Sequence, residues 1–305
     1  MTPPDWLWIP LTIGAALAQT GRNAAQKSLT ATLGALGATL VRFLYGLPFA
    51  LAWLAVVKAA GGYAWPAPNT VFTGWVALGA VAQIVATALL LRAMAERNFA
   101  LGVAYAKSDV IQVAVFGFVF LGDAVSGGAA AAVLIGTLGV LLLSPPDPQR
   151  PFRALLTGWT QRSAMLGLGA GACFALSAVS FRGAALALPD TPYLMAAAST
   201  LAVAQTLQTV LLGGWLLARN AAVVAHTFRA WRPSLFAGFM GAVASVGWFT
   251  AMAIEPAVHV RTLGLIELLF TCIVSRRVFR ERLSRRELAG LGLLSAGLVL
   301  VMLGR

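Results

Sequence analysis

The chain is poor in charged residues, histidine and cysteine, and each shortage excludes a class of protein. Only 10% of its 305 residues are charged, whereas soluble domains carry about 25%, so a water-soluble globular protein is excluded. Two histidines and two cysteines, far apart in the sequence, offer no cluster of metal ligands. No Gly-x-Ser-x-Gly elbow and no phosphate-binding Gly-Lys-Ser/Thr loop occur. We therefore expect neither an enzyme nor an ATP-driven pump, and neither a cofactor nor a bound metal.

Apolar sequence is what the chain has in abundance. Hydrophobic residues make up 59% of it, and its mean hydropathy is +0.83. Apolar blocks of about 18–25 residues recur along it, each long enough to cross the hydrocarbon core of a bilayer. They predict an all-α polytopic protein of the inner (cytoplasmic) membrane with ten transmembrane helices. The predicted spans are 6–28, 33–58, 71–94, 100–121, 128–144, 163–186, 192–218, 234–254, 258–278 and 287–303.

The net charge of +12 comes from basic residues that lie mostly between the apolar blocks. Membrane topology and anionic lipid head groups account for such residues without a nucleic-acid partner. Sixteen basic residues fall on one predicted side of the membrane and four on the other. Because short loops rich in Lys and Arg stay in the cytoplasm, this bias favours both termini outside the cytoplasm.

The two halves of the chain match each other. A 34-residue window starting at Ala93 aligns without a gap on a window starting at Ala251, and the shift superposes Asp109 on Glu267. With five spans in each half, the second half must enter the membrane from the side opposite to the first. The sequence thus predicts two inverted five-helix repeats. Their predicted bounds are 1–148 and 149–305.

Several motifs carry a family resemblance. Arg42 lies in ATLVRFLYGLPFA, the stretch ALLLRAMAERNFALGVAY joins the third and fourth spans, and LGDAVS ends the fourth span. The stretch RERLSRRELAGLGLLSAGLVLVM repeats that boundary in the second half. Together they resemble the EamA-type members of the drug/metabolite transporter superfamily. The resemblance implies transport by alternating access and both termini in the cytoplasm, against the charge bias. Family members usually have a proline in the middle of helices four and nine; this chain has none there, so no proline hinge is expected.

Ionisable and polar side chains inside the predicted spans are the candidate substrate-binding residues. An ionised group at membrane depth costs about 2.5–3.5 kcal/mol and usually faces the interior of the bundle. Packing and interhelical hydrogen bonding are the alternative roles of the uncharged members. The set is Arg42, Gln83, Tyr105, Lys107, Asp109, Gln112, Gln205, Trp248 and Glu267.

Asp109 and Glu267 are also the candidates for proton coupling, because a carboxylate in a desolvated cavity can exchange a proton with the aqueous side. Three interpretations of Asp109 stay open: binding of substrate or a proton in a central cavity, an ion pair with Arg42, or hydration near the interface. Since helix positions four apart share a face, Tyr105 is expected on the face of Asp109, and Lys107 is expected to point away.

Charged groups near the ends of the blocks are expected to take less part in a site. Arg261 is expected to snorkel to the interface, and His259 to be a solvated helix cap, with a role in the site as the alternative for both. Asp123 and Glu281 are expected to cap the following helix or to form salt bridges in loops.

The basic residues inside the spans indicate the kind of solute. Arg42 and Lys107 favour a zwitterionic or anionic solute over a lipophilic cation. With the family resemblance, they predict a secondary transporter, expected to be an exporter, of small metabolites such as amino acids or related solutes. Its expected partners are a small-molecule substrate, protons as candidate coupling ions, and membrane lipids. The alternatives are a multidrug or cation exporter and a lipid-translocating protein.

Overall fold

The computed structural model describes residues 4–96, 99–122, 134–135, 162–281, 284–285, 288–290, 292–293 and 296, and these form helices and short connections without a strand. A 3₁₀ turn, Gly264–Ile266, separates the last two helices. The helices are α1 Trp8–Leu44, α2 Leu47–Gly61, α3 Thr70–Glu96, α4 Phe99–Ala106, α5 Asp109–Leu121, α6 Arg162–Leu186, α7 Tyr193–Arg229, α8 Trp231–Ile254, α9 Ala257–Leu263 and α10 Glu267–Arg277.

Six helical stretches of the described chain are long and apolar enough to cross a membrane. The chain is therefore a multi-pass membrane protein. The count of ten spans is not confirmed, because the predicted spans 128–144 and 287–303 fall largely outside the described residues. The predicted spans 100–121 and 258–278 are each interrupted near the middle, as α4–α5 and α9–α10.

The first apolar stretch, Trp8–Gly61, reverses direction at Gly34. Gln26 Nε2 donates a hydrogen bond to the backbone oxygen of Ala38 at 2.7 Å, although twelve residues of a straight helix would separate these positions by about 18 Å. Gly34 has φ 68° and ψ 173°, a conformation that is open only to glycine. This reversal separates the first two predicted spans within what is otherwise one helical stretch.

Helix bounds in the two halves follow the same shift of 158 residues that aligns the sequences. α3 and α8 end at Glu96 and Ile254, α4 and α9 begin at Phe99 and Ala257, and α5 and α10 begin at Asp109 and Glu267. The interruptions of the two broken helices therefore occupy equivalent places. The predicted boundary between residues 148 and 149 lies outside the described residues and stays a prediction.

The main packing contacts are made between the halves. α1 packs most extensively on α8, and α3 on α6; under the same shift α1 corresponds to α6 and α3 to α8, so these two contacts are equivalent. Small residues make them close: a β-carbon added at Gly247 of α8 would lie 2.8 Å from the β-carbon of Ala15. The two helix pairs frame an interior into which the interrupted helices bring their polar residues.

Candidate substrate site

The site forms where the two interrupted helices meet. Lys107 and Ser108 lie in the turn between α4 and α5, and Gly264–Ile266 separates α9 from α10. Each interruption is followed directly by a carboxylate, Asp109 or Glu267, at the first residue of the next helix. A helix N-terminus favours a negative charge, and interrupted membrane helices are where secondary transporters hold their substrates and ions.

Two ion pairs cross between the interrupted helices. Lys107 Nζ lies 2.5 Å from Glu267 Oε2, and Arg261 Nη1 lies 3.2 Å from Asp109 Oδ2. All four residues are at most 6% exposed. Each carboxylate is thus neutralised by a cation from the other half of the chain, and the two pairs tie the halves together in the interior.

α1 supplies further partners for Glu267. Gln19 Nε2 donates to Glu267 Oε2 at 2.6 Å, and Asn23 Nδ2 donates to Glu267 Oε1 at 3.0 Å. Arg22 Nη2 in turn donates to Asn23 Oδ1 at 2.7 Å. Trp248 Nε1 donates to Gln19 Oε1 at 3.0 Å, so the network runs from α1 to both α8 and α10.

The sequence analysis missed these α1 residues. Arg22 was counted with the loop residues for the charge bias, although it lies in the predicted span 6–28; in the structure it is a helix residue that is 1% exposed. The signal that could have revealed it is the stretch QTGRNAAQ, in which polar side chains recur at positions 19, 22, 23 and 26. This spacing places them on one face of a helix, and a polar face in an apolar block indicates an interior site.

Two small cavities lie at the cluster, with volumes of about 20 Å³ and about 10 Å³ available to the centre of a water molecule. Gln19, Phe174 and Arg261 line both. Each is close to the size needed for one water, so the cluster is closely packed in this conformation. The larger cavity is also lined by Arg42, Gln83, Ser245 and Trp248, and the smaller by Asn23, Lys107, Asp109 and Glu267.

The predicted pairing of Asp109 with Arg42 is wrong. Arg42 Nη1 donates instead to Thr87 Oγ1 at 2.9 Å, and Arg261 takes the place beside Asp109. Arg261 is buried, so the prediction that it snorkels to the interface is also wrong. Arg261 was expected at the interface because it lies near the start of its predicted span, but in the structure the meeting of the two interrupted helices buries it beside Asp109.

Of the two predicted glutamines, Gln83 lines a cavity and Gln205 makes a contact between helices. Gln83 lines the larger cavity, and its Oε1 accepts a hydrogen bond from Gln208 Nε2 at 2.8 Å. Gln205 Nε2 donates to the backbone oxygens of Arg42 and Phe43 at 3.3 and 3.4 Å. Gln205 therefore joins α7 to α1, which is the interhelical role that was the alternative for it.

Tyr105 and Gln112 line neither of the two cavities. Tyr105 is buried against α6. A β-carbon added at Gly167 of α6 would lie 2.3 Å from the β-carbon of Tyr105. Gln112 is half-buried, and its Oε1 has no hydrogen-bond partner among the described residues. The predicted common face of Tyr105 and Asp109 is interrupted by the turn at Lys107.

One end of the bundle is held by Glu281. Its Oε1 lies 2.7 Å from Lys27 Nζ, its carboxylate accepts the backbone N–H of Phe99 at 3.0 Å, and Ser275 donates to it. Burial raises the pKa of Glu281, but these hydrogen bonds outweigh burial and bring the pKa below its ordinary value. Glu281 forms the salt bridge expected of it, and it also caps α4. Asp123 lies outside the described residues.

The opposite end is held by Arg182 and His259. Arg182 Nη1 donates to the backbone oxygens of Met252 and Glu255, both at 2.8 Å. His259 Nδ1 lies 2.6 Å from Glu255 Oε1 and the His259 side chain is only 19% exposed, so the prediction of a solvated cap is wrong. The two cavities of the cluster therefore lie between two ends of the described bundle that are each held by polar contacts.

A helical membrane bundle whose interrupted helices meet at buried charges has the architecture of a secondary transporter. Residues 161–303 match the model of the EamA-like transporter family, which confirms the family resemblance in this half of the chain. One solved structure, described as a crystal structure of a protein, has a TM-score of 0.60 at 14% identity and covers 98% of this chain and 97% of that chain. That likeness concerns the fold alone. No curated protein matches the chain.

Proposed function

We propose that this protein is a secondary transporter of small zwitterionic or anionic metabolites, such as amino acids and related solutes, and that it exports them across the inner membrane. One observation carries the proposal: two crossed ion pairs, Lys107–Glu267 and Arg261–Asp109, join the equivalent interruptions of the two halves. A solute that binds between the halves would exchange contacts with these groups as the halves move.

The energetics favour a functional role for this cluster. Ionised residues at membrane depth are costly and usually mark substrate or ion pathways. Their cost is met only if partners or a ligand satisfy them. The cavities beside them lie between the tied ends of the bundle, so releasing the contacts of Glu281 or those of Arg182 would open the cluster to one side at a time. Such opening is alternating access.

Coupling to protons is part of the proposal. Asp109 and Glu267 each hold a cation from the other half, and a proton would compete with that cation for the carboxylate. Protonation of one carboxylate would release one tie between the halves. Export against a gradient would then follow from proton binding on the outer side and solute binding on the inner side.

Reconstituted vesicles test the proposal. Purified protein in liposomes with an imposed pH gradient is offered radiolabelled amino acids, small organic anions and cationic dyes. We expect flux of a zwitterionic or anionic solute, and at least a tenfold loss in Asp109→Asn and in Glu267→Gln. Glu96→Gln is the matched control, because Glu96 pairs with the exposed Arg162 at 2.9 Å and surface pairs contribute little.

Three outcomes contradict the proposal. Transport of dyes alone would assign the protein to cation export. Lipid scrambling in the same vesicles without solute flux would assign it to lipid translocation. Unchanged flux in both carboxylate variants would leave the ion pairs with a structural role only.

A further inference from the structure

In the part of the chain that the structure describes, the interior holds more positive than negative charge. Among the described residues the buried cations are Arg22, Arg42, Lys107 and Arg261, and the buried carboxylates are Asp109 and Glu267. Lys107 and Arg261 use both carboxylates. Arg22 and Arg42 form no ion pair within the described part of the chain.

The two remaining arginines lie side by side. A β-carbon added at Gly241 of α8 would lie 3.2 Å from Arg22 Cδ and 3.5 Å from Arg42 Cγ, so both side chains pass this one glycine. Their like charges, with that of Arg261, repel one another, while Glu267, which is already paired with Lys107, attracts both. Two guanidinium groups gathered in an apolar interior need a compensating anion.

The arginine pair also has an N–H group that lacks a hydrogen-bond acceptor among the described residues. Arg22 Nη1 is buried and has no hydrogen-bond partner among the described residues. Arg42 uses Nη1 on Thr87 and lines the larger cavity beside Gln83 and Ser245. A guanidinium fork matches the oxygens of a carboxylate or phosphate, so the unused donors indicate an oxyanion as the missing partner.

We propose that Arg22 and Arg42 form the subsite for the anionic group of the transported solute, and that this solute carries a net negative charge. The inference rests on the proposed transport function and narrows its substrate class to carboxylate or phosphate anions. A zwitterion fits less well, because its ammonium group would have to displace Lys107 or Arg261 from a carboxylate. A net anion needs no such exchange.

Binding to protein in nanodiscs of phosphatidylcholine, without anionic lipid, tests the subsite. The probes are succinate, its neutral diamide succinamide, inorganic phosphate and glycine, and the readouts are melting temperature and titration calorimetry. We expect succinate or phosphate to raise the melting temperature, with succinamide and glycine without effect. Whichever of the two anions binds identifies the solute group as carboxylate or phosphate.

Variants locate the binding. Arg22→Gln and Arg42→Gln are expected to weaken anion binding at least tenfold, Arg42→Lys less than Arg42→Gln, and Arg219→Gln, at an exposed arginine of α7, not at all. If the glutamine variants fail to fold, the comparison of succinate with succinamide on the wild type and the Arg→Lys variants decides the question.

Two results would overturn the subsite. One is equal stabilisation by succinate and succinamide; the other is anion binding that persists unchanged in folded Arg22→Gln and Arg42→Gln. Vesicle flux separates this failure from that of the transport function. Flux of glycine or another zwitterion that depends on Asp109 and Glu267, without anion binding, refutes the subsite and supports transport. Flux of no solute at all refutes transport itself.

Discussion

Lys107 Nζ and Glu267 Oε2 lie 2.5 Å apart, and the pair joins the interruption of one helix to the interruption of its counterpart. Neither residue is exposed to more than 6%. The carboxylate also accepts hydrogen bonds from Gln19 and Asn23, so Glu267 joins α1, α10 and the turn between α4 and α5. Its removal should therefore disturb more than a single contact.

Glu267→Gln is expected to destabilise the protein by about 3–5 kcal/mol, because it leaves the Lys107 cation buried without a counter-charge. The double variant Glu267→Gln with Lys107→Gln should recover part of that loss, since it removes the uncompensated charge. Melting temperatures of purified protein measure both. Glu96→Gln, in the exposed pair with Arg162, should cost no more than about 1 kcal/mol. Equal losses at positions 267 and 96 would contradict a buried ion pair.

The sequence predicted the two carboxylates of the site but not their partners. Asp109 and Glu267 could be found because the internal repeat superposes them. Which cation pairs with each carboxylate could not be predicted, because the pairing depends on the turns at Lys107 and Gly264, which change the side-chain directions that regular helical spacing would give. No periodic signal in an apolar block reports such an interruption in the absence of proline.

The helix spans themselves were predicted closely where glycine, proline or charged residues bound the apolar block. The predicted span 163–186 is the helix Arg162–Leu186, and 234–254 is Trp231–Ile254. Arg22 was counted with the loop residues for the charge bias, although the predicted span 6–28 contains it. In the structure Arg22 lies inside α1 and is buried, and its Nη2 donates a hydrogen bond to Asn23 Oδ1.

Gly264→Ala tests the packing at the second interruption. An added β-carbon would lie 2.6 Å from Trp248 Cη2, so the indole must move and its hydrogen bond to Gln19 should weaken. Overpacking of this kind costs about 1–3 kcal/mol. Thermal unfolding should report the loss, and tryptophan fluorescence should shift. Gly14→Ala is the control, because nothing lies within 4 Å of its added β-carbon. Similar behaviour of the two variants would show that Trp248 is not held against the interruption.

Glu281 makes stability depend on pH. Its pKa lies below the ordinary value in the folded protein, so its contribution is present above the unfolded-state pKa of about 4.3 and is lost as pH falls through the folded-state pKa. The wild-type melting temperature should therefore fall as the pH is lowered below about 4.3. Glu281→Gln should melt lower than the wild type at pH 7 and lose less on acidification.

The exposed Asp190 provides the comparison for this pH profile. Asp190→Asn should keep both the neutral-pH melting temperature and the acid sensitivity of the wild type, because it touches none of the groups around Glu281. If Glu281→Gln keeps the full acid sensitivity of the wild type, the contacts of Glu281 with Lys27 and Phe99 do not hold this end of the bundle.

Gly34→Ala tests the reversal that turns one long helical stretch into two. At φ 68° and ψ 173° a β-carbon is strained whatever space surrounds it, and such a conformation costs of order 1–3 kcal/mol in a residue other than glycine. The expected result is a lower melting temperature than that of Gly214→Ala. Gly214 lies inside α7, has no neighbour within 4 Å of an added β-carbon, and should gain slightly from alanine's helix propensity. If Gly34→Ala is as stable as Gly214→Ala, the chain does not turn through a glycine-only conformation at residue 34. The hydrogen bond from Gln26 to the backbone oxygen of Ala38, which depends on this turn, would then be contradicted as well.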